Sequence, residues 1–171
     1  TSLDGCIAMA DGTSQWITGE EARAHVHLQR SRADAILVGG ATLRSDAPRL
    51  DVRLSGLEAR SPERWVLTRG DPPAGWNALP SPGAIHSAMP DVQYLYIEGG
   101  AETAAAFLAA DLVDRIDWYR APILIGRGKP ALGDIGLASL GAAHGLWLRT
   151  DMRCLGSDTL EVYSRIPCSQ E

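Results

Sequence analysis

Two glycine pairs stand where short apolar runs end, and both could bring a ligand close to the backbone. Gly39–Gly40 ends the first run, and Gly99–Gly100 follows Glu98 at the end of the second. A helical pattern begins directly after each pair, so free N–H groups of a helix start could face a phosphate. Neither stretch is the G-x-G-x-x-G of dinucleotide sites or a Walker sequence, and glycine after a strand also serves as a tight turn. Each pair alone is therefore a weak indication of a phosphate site.

Charged side chains follow the same two junctions. Asp46 comes shortly after the first junction, and Glu98 directly precedes the second. Two carboxylates at the carboxyl edge of neighbouring strands could orient sugar hydroxyls or transfer a proton, although Asp46 could equally end a helix and Glu98 could cap one. Arg30, Arg49 and Arg53 could converge on a substrate phosphate or could lie in solvent.

Aromatic residues and potential metal ligands give little further indication of function. Trp16 could stack on a flat ring or could belong to the core. His25 and His27 are two apart in a helical pattern, so they point to different sides and cannot share one metal ion. The spacing of the cysteines gives no zinc motif and is typical of a reduced cytosolic compartment. The three cysteines are Cys6, Cys154 and Cys168.

Length and composition set the class of protein that must position these residues. The chain has 171 residues, of which 45% are hydrophobic and 22% are charged, as in one ordinary globular domain. We therefore expect a single domain over residues 1–171. The net charge of −5 argues against nucleic-acid binding, and no apolar stretch is long enough to span a membrane. No signal peptide is visible at Thr1.

The hydrophobic pattern predicts an α/β fold. Thr18 and Glu21 have the spacing of a capping box at the first helix. Strand–helix–strand order at the front and paired strands at the back predict a mostly parallel sheet with an antiparallel edge. We expect an irregular segment over 70–91 and a glycine-rich loop over 126–141. The pattern predicts strands over 2–9, 35–38, 64–68, 92–97, 114–119, 145–150 and 159–166, helices over 19–31 and 101–110, and a helical turn over 41–44.

Taken together, three stretches resemble one known family. Residues 2–53 (SLDGCIAMADG to SDAPRLDVR), 97–126 (IEGGAETAAAF to APILIG) and 156–165 (GSDTLEVYSR) resemble the reductase domain of the bacterial riboflavin-biosynthesis bifunctional deaminase/reductase. The match covers nearly the whole chain except roughly 55–91, and several motifs in the same order make it far more specific than either glycine pair.

This resemblance implies a dihydrofolate-reductase-like three-layer α/β/α sandwich with antiparallel edge strands. It implies reduction of the ribosyl group of 5-amino-6-(5-phosphoribosylamino)uracil to ribityl, with a hydride from NADPH. It also implies a cytoplasmic homodimer, without nucleic acid, membrane or metal. The implied catalytic residues are Asp46 and Glu98. For Asp46, our hypothesis is that it assists delivery of a proton. The implied cofactor contacts are Trp16, Thr42, Asp46, Thr68, Gly100, Ala101, Glu102, Thr103, Ala104, Ala105 and Ala106, and the implied substrate contacts are Ser14, Arg30, Leu50, Arg53 and Glu98.

The chain departs from the family pattern at several positions. The strand and lysine that usually precede the SLDG motif are absent, Cys6 replaces a common arginine, and Ala47 replaces a second acidic residue. The helix usual between the middle strands has little room in 81–91. No deaminase signature is present, so a zinc deaminase domain would lie upstream, on another chain, or nowhere. Two alternatives stay open: a fold relative that reduces another small heterocycle, and a non-catalytic ligand-binding module.

Overall fold

The computed structural model describes residues 1–167, so Cys168, one of the three cysteines, lies outside the described residues. None of the helices in this part of the chain is long and apolar enough to cross a membrane. Nine strands and four α-helices follow one another as β1 (Cys6–Met9), α1 (Glu20–Arg30), β2 (Ala35–Gly39), α2 (Gly40–Asp46), β3 (Glu63–Leu67), β4 (Asn77–Leu79), α3 (Ile85–Ala88), β5 (Leu95–Ile97), α4 (Ala101–Ala109), β6 (Arg115–Arg120), β7 (Gly128–Pro130), β8 (Trp147–Leu155) and β9 (Asp158–Arg165).

A four-stranded parallel sheet lies at the centre, in the order β4-β3-β2-β5. The register aligns Leu37 of β2 with Trp65 of β3 and with Ile97 of β5. All five residues of β2 are buried, which explains why its sequence is continuously apolar rather than alternating. Since β2 and β5 are neighbours and parallel, both glycine pairs lie at one edge of the sheet.

Apolar side chains cover both faces of this sheet. On one face, Leu37 packs in a cluster with Phe107 of α4 and residues of α3. On the other face, Ile36 and Val38 pack with Leu50 and Tyr96. Alternation along β2 sends successive side chains to the two clusters, so the sheet is the middle layer of three. The predicted α/β class is confirmed.

Antiparallel strands complete the fold. Strands β6, β9 and β8 form a sheet with β9 in the middle, and β1 pairs with β7. Strand β9 buries Leu160 and Val162, whereas the edge strand β8 is exposed or half-buried throughout. The predicted antiparallel edge is therefore present, as separate ladders beside the parallel sheet.

Several local predictions were wrong. The first strand does not begin at residue 2, because Ser2 to Gly5 form a turn closed by the bond from Gly5 N–H to Ser2 C=O. Two strands of three residues each, β4 and β7, lie inside segments predicted as irregular. A single-turn helix, α3, also lies in the first of these segments. Each of these short elements depends on tertiary pairing or packing, and its local sequence gives no periodic signal.

The predicted capping box is also wrong. Helix α1 has Gly19 as its N-cap, and no side chain caps it from the adjacent sequence. The Asp158 carboxylate, from the distant strand β9, accepts a hydrogen bond of 2.6 Å from Gly19 N–H. This buried carboxylate accepts from the N–H of the N-cap residue, which is the role that the predicted capping box assigned to Glu21.

Candidate active site

The two glycine junctions form one compact structure at the edge of the parallel sheet. A Cβ at Gly39 would lie 2.2 Å from Thr103 Oγ1, and a Cβ at Gly99 would lie 2.5 Å from Thr103 Cβ. Real side chains do not approach so closely, so only glycine lets α4 pack its Thr103 between the two strand ends. Thr42 of α2 lies beside Gly100, 3.4 Å from a Cβ built there. The helix starts therefore face a common space.

No side chain caps either helix start. Gly39 is the N-cap of α2 and Gly100 is the N-cap of α4, and neither shows a side-chain hydrogen bond to the first turn. The first N–H groups of a helix have no partner within it, so a phosphate could accept from them. Glu102 is acidic and exposed in the first turn of α4. Its carboxylate lies against Gly133, where a Cβ would be 2.7 Å from Oε1.

A two-pronged ion pair joins α1 to the end of β5. Arg30 Nε donates to Glu98 Oε1 over 2.7 Å, and Nη2 donates to Oε2 over 2.6 Å. The side chains are only 11% and 20% exposed. Burial opposes the charge of Arg30, but hydrogen bonds and charge attraction from Glu98 outweigh it, so the pKa of Arg30 lies above its ordinary value. Glu98 retains lone pairs that could accept hydroxyl groups of a sugar.

Arg30, Arg49 and Arg53 all contact Asp51, a residue that the sequence analysis did not single out. Arg30 Nη1 donates to the Asp51 carbonyl over 3.0 Å. The Asp51 carboxylate lies 2.6 Å from Arg49 Nη2 and 3.4 Å from Arg53 Nε. Three guanidinium groups face two carboxylates here, which leaves a positive charge suited to an anion. The sequence did contain a signal, since Asp51 stands two residues from both Arg49 and Arg53.

His27 lies beside the same group. Its Nδ1 is 3.1 Å from the Asp51 carbonyl and 3.2 Å from Arg53 N. Burial, with help from the charges of Arg30 and Arg53, lowers the pKa of His27. The neutral ring avoids a further positive charge among the arginines. His25, as the sequence predicted, points elsewhere and contacts Tyr119. Among the described residues, no group of three or more His, Cys, Asp or Glu could hold a metal ion.

The resemblance implies further cofactor contacts, some in loops or at the ends of elements and the rest along α4. Trp16 is exposed, with the Arg23 guanidinium 4.7 Å from its ring centre, so one face is covered. Asp46 ends α2 and accepts from the Ser45 hydroxyl over 2.7 Å. Thr68 follows β3, and its hydroxyl oxygen accepts from Gly70 N–H over 3.2 Å. Along α4, the side chains at 103 and 105 are buried in the protein, so a ligand there could meet only their backbone.

The remaining residues implied for a substrate differ in exposure. Ser14 is exposed in the loop between β1 and α1. Leu50 is buried against Ile36 and Val38, and its φ of 54° places a branched side chain in the left-handed region. Such a conformation is costly and persists only where the surrounding structure fixes it. Leu50 therefore shapes the segment that carries Arg49 and Asp51.

Comparison with known families and sequences identifies relatives over most of the chain. The family model described as the RibD C-terminal domain matches residues 1–74 and 87–161. A relative named riboflavin biosynthesis protein RibD from Mycobacterium tuberculosis (strain H37Rv) is 37% identical over 173 residues, covering 94% of this chain and 51% of the relative. Its namesake from Corynebacterium ammoniagenes is 38% identical over 146 residues, covering 77% and 43%. The chain thus spans about half the length of the curated relatives it matches.

Solved structures give the same result for the fold. Acinetobacter baumannii RibD (form 2) superposes with a TM-score of 0.80 at 26% identity, covering 96% of this chain and 55% of that one. A Thermotoga maritima diaminohydroxyphosphoribosylaminopyrimidine deaminase/5-amino-6-(5-phosphoribosylamino)uracil reductase has a TM-score of 0.81 at 23% identity, covering 97% and 54%. The second likeness, at this identity, supports the fold alone.

Proposed function

The chain belongs to the RibD C-terminal domain family, and we propose that it is the reductase that converts the ribosyl group of 5-amino-6-(5-phosphoribosylamino)uracil to ribityl with a hydride from NADPH. The single observation that carries this proposal is the Arg30–Glu98 pair, with hydrogen bonds of 2.7 and 2.6 Å, at the sheet edge that also holds two uncapped helix starts. That edge offers a place for a phosphorylated sugar beside a place for a dinucleotide.

The glycine junctions fit a nicotinamide dinucleotide. Glycine at 39 and 99 brings the strand ends and α4 so close that backbone N–H groups, rather than side chains, line the edge. When bound, NADPH supplies a hydride, and the protein's task is to position it. We propose that the α4 start over Gly100–Ala106 holds its phosphates. Thr42, Asp46, Thr68 and the exposed Trp16 would contact the rest of the cofactor.

The arginine group fits a phosphorylated substrate. Arg53 is about half exposed, so its guanidinium group can reach a phosphate oxygen from the solvent side. Arg30 is held in place by Glu98, so its remaining N–H groups point in fixed directions. We propose that Arg30 and Arg53, with Ser14, bind the phosphate, that Glu98 orients ribose hydroxyls, and that Leu50 supports this segment. Such an enzyme gains most of its rate by holding the reacting carbon in a fixed orientation.

The reduction also consumes a proton. The open-chain form of the substrate has a C=N bond between C1 and the amine. When C1 gains the hydride, the C=N electron pair moves to nitrogen, which must then gain a proton. Asp46 is exposed at the end of α2. We propose that Asp46, directly or through a water molecule, assists this proton transfer.

The relatives' names suggest how the domain is organised. These relatives are about twice as long as this chain, and the Thermotoga protein is named as both a deaminase and a reductase. We propose that this domain acts as a homodimer in the cytoplasm, alone or together with a zinc deaminase domain. Cys6 and Cys154, the free cysteines among the described residues, are consistent with a reducing compartment.

The decisive experiment measures NADPH oxidation by the purified chain with freshly deaminated pyrimidine substrate. Loss of NADPH absorbance that depends on the pyrimidine supports the proposal, and NADH run in parallel measures the cofactor preference. Binding of NADPH without turnover of this pyrimidine contradicts it and favours another heterocycle or a binding module. An Arg30→Lys variant is the control, because it keeps the charge and loses the two-pronged pairing with Glu98.

A further inference from the structure

A tyrosine of β5, a tyrosine of β6 and a histidine of α1 form a trio, in which the histidine and the β6 tyrosine share a hydrogen bond. His25 Nδ1 lies 2.8 Å from the Tyr119 hydroxyl, and the two rings are tilted by 55° with centres 5.8 Å apart. The Tyr96 side chain lies close to that of Tyr119, and each affects the pKa of the other. Gln29, one turn along the helix, contacts the other ring nitrogen, with its side-chain amide group 3.2 Å from His25 Nε2. Three separate elements thus meet at this trio.

The members of the trio are uncharged near neutral pH. Burial raises the pKa of Tyr96 well above that of an ordinary tyrosine, and burial together with the nearby Asp117 raises that of Tyr119. Burial lowers the pKa of His25. Each hydroxyl therefore keeps its proton and must donate it to a neighbour, because a buried donor without a partner is costly.

The trio and the proposed substrate-binding pair both involve α1 and β5. Tyr96 lies in β5 and Glu98 directly follows the last residue of that strand, so the spacing of two residues places both side chains on one side. His25 precedes Arg30 by five residues in α1. Helix α1 is therefore fastened at two points, to the end of β5 through Arg30 and Glu98 and to β6 through His25 and Tyr119. Two points fix both the rotation and the height of a helix above a sheet, whereas one point leaves it free to pivot.

We propose that His25 and Tyr119, with Tyr96 beside them, are positioning residues that hold α1 against β6, so that Arg30 and Glu98 are aligned before the phosphorylated sugar binds. This inference rests on the proposed function for its substrate, but its geometric part concerns the free protein alone. Supporting residues of this kind set how precisely a binding pair is held, and small displacements of such a pair are expensive in rate.

Charged groups around His25 determine how the trio responds to pH. Asp117 and Arg115 face it from β6, Arg153 faces it from β8, and Arg32 lies just past the end of α1. The three arginines disfavour a charged imidazole and Asp117 favours it. When acid protonates His25, Nδ1 presents a proton to Tyr119 and can no longer accept one, so the chain of hydrogen bonds must rearrange.

The test compares Tyr119→Phe with Tyr94→Phe, which removes the same hydroxyl from an exposed side chain outside the trio. We expect Tyr119→Phe to raise KM for the pyrimidine about 5- to 20-fold, as loss of one buried hydrogen bond allows, and to leave KM for NADPH unchanged. The Nε–H signal of Arg30 in an ¹⁵N spectrum, assigned with Arg30→Lys, should exchange with water about tenfold faster. Tyr94→Phe should change neither quantity.

A second variant, His25→Gln, keeps an oxygen that can accept from Tyr119 and removes the ionisation. It should retain the wild-type KM and lose the decline of kcat/KM on the acid side, and it carries the test if Tyr119→Phe does not fold. Equal effects of the two tyrosine variants, or a parallel rise of both KM values, would overturn the inference. If the wild-type chain turns over no pyrimidine yet the Arg30 signal responds only to Tyr119→Phe, the proposed function fails and the positioning role stands.

Discussion

Replacing Glu98 by glutamine should destabilise the protein markedly, even before any substrate is considered. The change keeps the shape of the side chain and one carbonyl oxygen, and it turns the second acceptor into an NH₂ group that faces an Arg30 N–H. Hydrogen bonds to charged groups contribute about 1.5–3 kcal/mol each. Breaking a fully buried ion pair costs about 3–5 kcal/mol, whereas an exposed pair is worth about 0–1 kcal/mol. The exposures of 11% and 20% place this pair nearer the buried limit, so we expect a loss of about 2–3 kcal/mol.

Asp111→Asn provides a matched control. Asp111 also faces an arginine through two short contacts, 2.9 Å to Arg165 Nε and 2.7 Å to Arg165 Nη2, but its own side chain is 66% exposed. Its φ of 53° suits asparagine as well as aspartate. Solvent screens this second pair, so the same chemical change should cost less than about 1 kcal/mol.

Urea unfolding measures both variants. With a slope of about 1–3 kcal/mol per molar urea, the Glu98→Gln midpoint should fall by roughly 1 M and the Asp111→Asn midpoint by only a few tenths. The slope itself should stay constant, since neither change alters the surface exposed on unfolding. Equal midpoints for the two variants would refute the reasoning, because burial of the Arg30 fork would then contribute nothing to stability.

Three further outcomes are expected. Gly99→Ala should destabilise the protein by about 1–3 kcal/mol in the same assay and weaken NADPH binding, because its Cβ would lie 2.5 Å from Thr103; Gly83→Ala, in open space, should be neutral. Asp46→Asn should lower kcat about 100-fold or more if its carboxyl group moves the proton, and full turnover would contradict that role. Burial lowers the pKa of His27 below 6.5 in the folded protein. The stability that its neutral ring contributes is therefore present above pH 6.5 and is lost as acid protonates the ring. The free energy of unfolding of His27→Gln, measured against pH, should decline less in that range.

The sequence predicted the long and strongly patterned elements well. Helices α1 and α4 and strand β2 begin and end within two residues of the predicted bounds, because their periodicity or continuous burial reflects their own packing. Strands β4 and β7 were missed because three residues cannot show a period, and each forms only where a partner strand already lies. The N-cap of α1 was misassigned for a similar reason, since the carboxylate that accepts from it comes from β9.

The candidate site shows the same division between local and distant information. The resemblance and the glycine pairs directed attention to Arg30, Glu98 and the helix starts, and the structure brings Arg30 and Glu98 into direct contact. Asp51 escaped notice because its importance lies in the two arginines it contacts in space, although its alternation with them was readable.

Tyr119 could not have been found from the sequence, because it reaches His25 across 94 residues of chain. A tyrosine in a strand is ordinarily a core or surface residue, and only the fold places this one against His25 of α1. The consequence is a specific order of dependence: α1 must dock on both β5 and β6 before Arg30 can meet Glu98 in the observed geometry. Variants that weaken the trio should therefore loosen the ion pair, whereas Glu98→Gln, which leaves the Tyr119–His25 contact intact, should keep α1 docked through its second attachment.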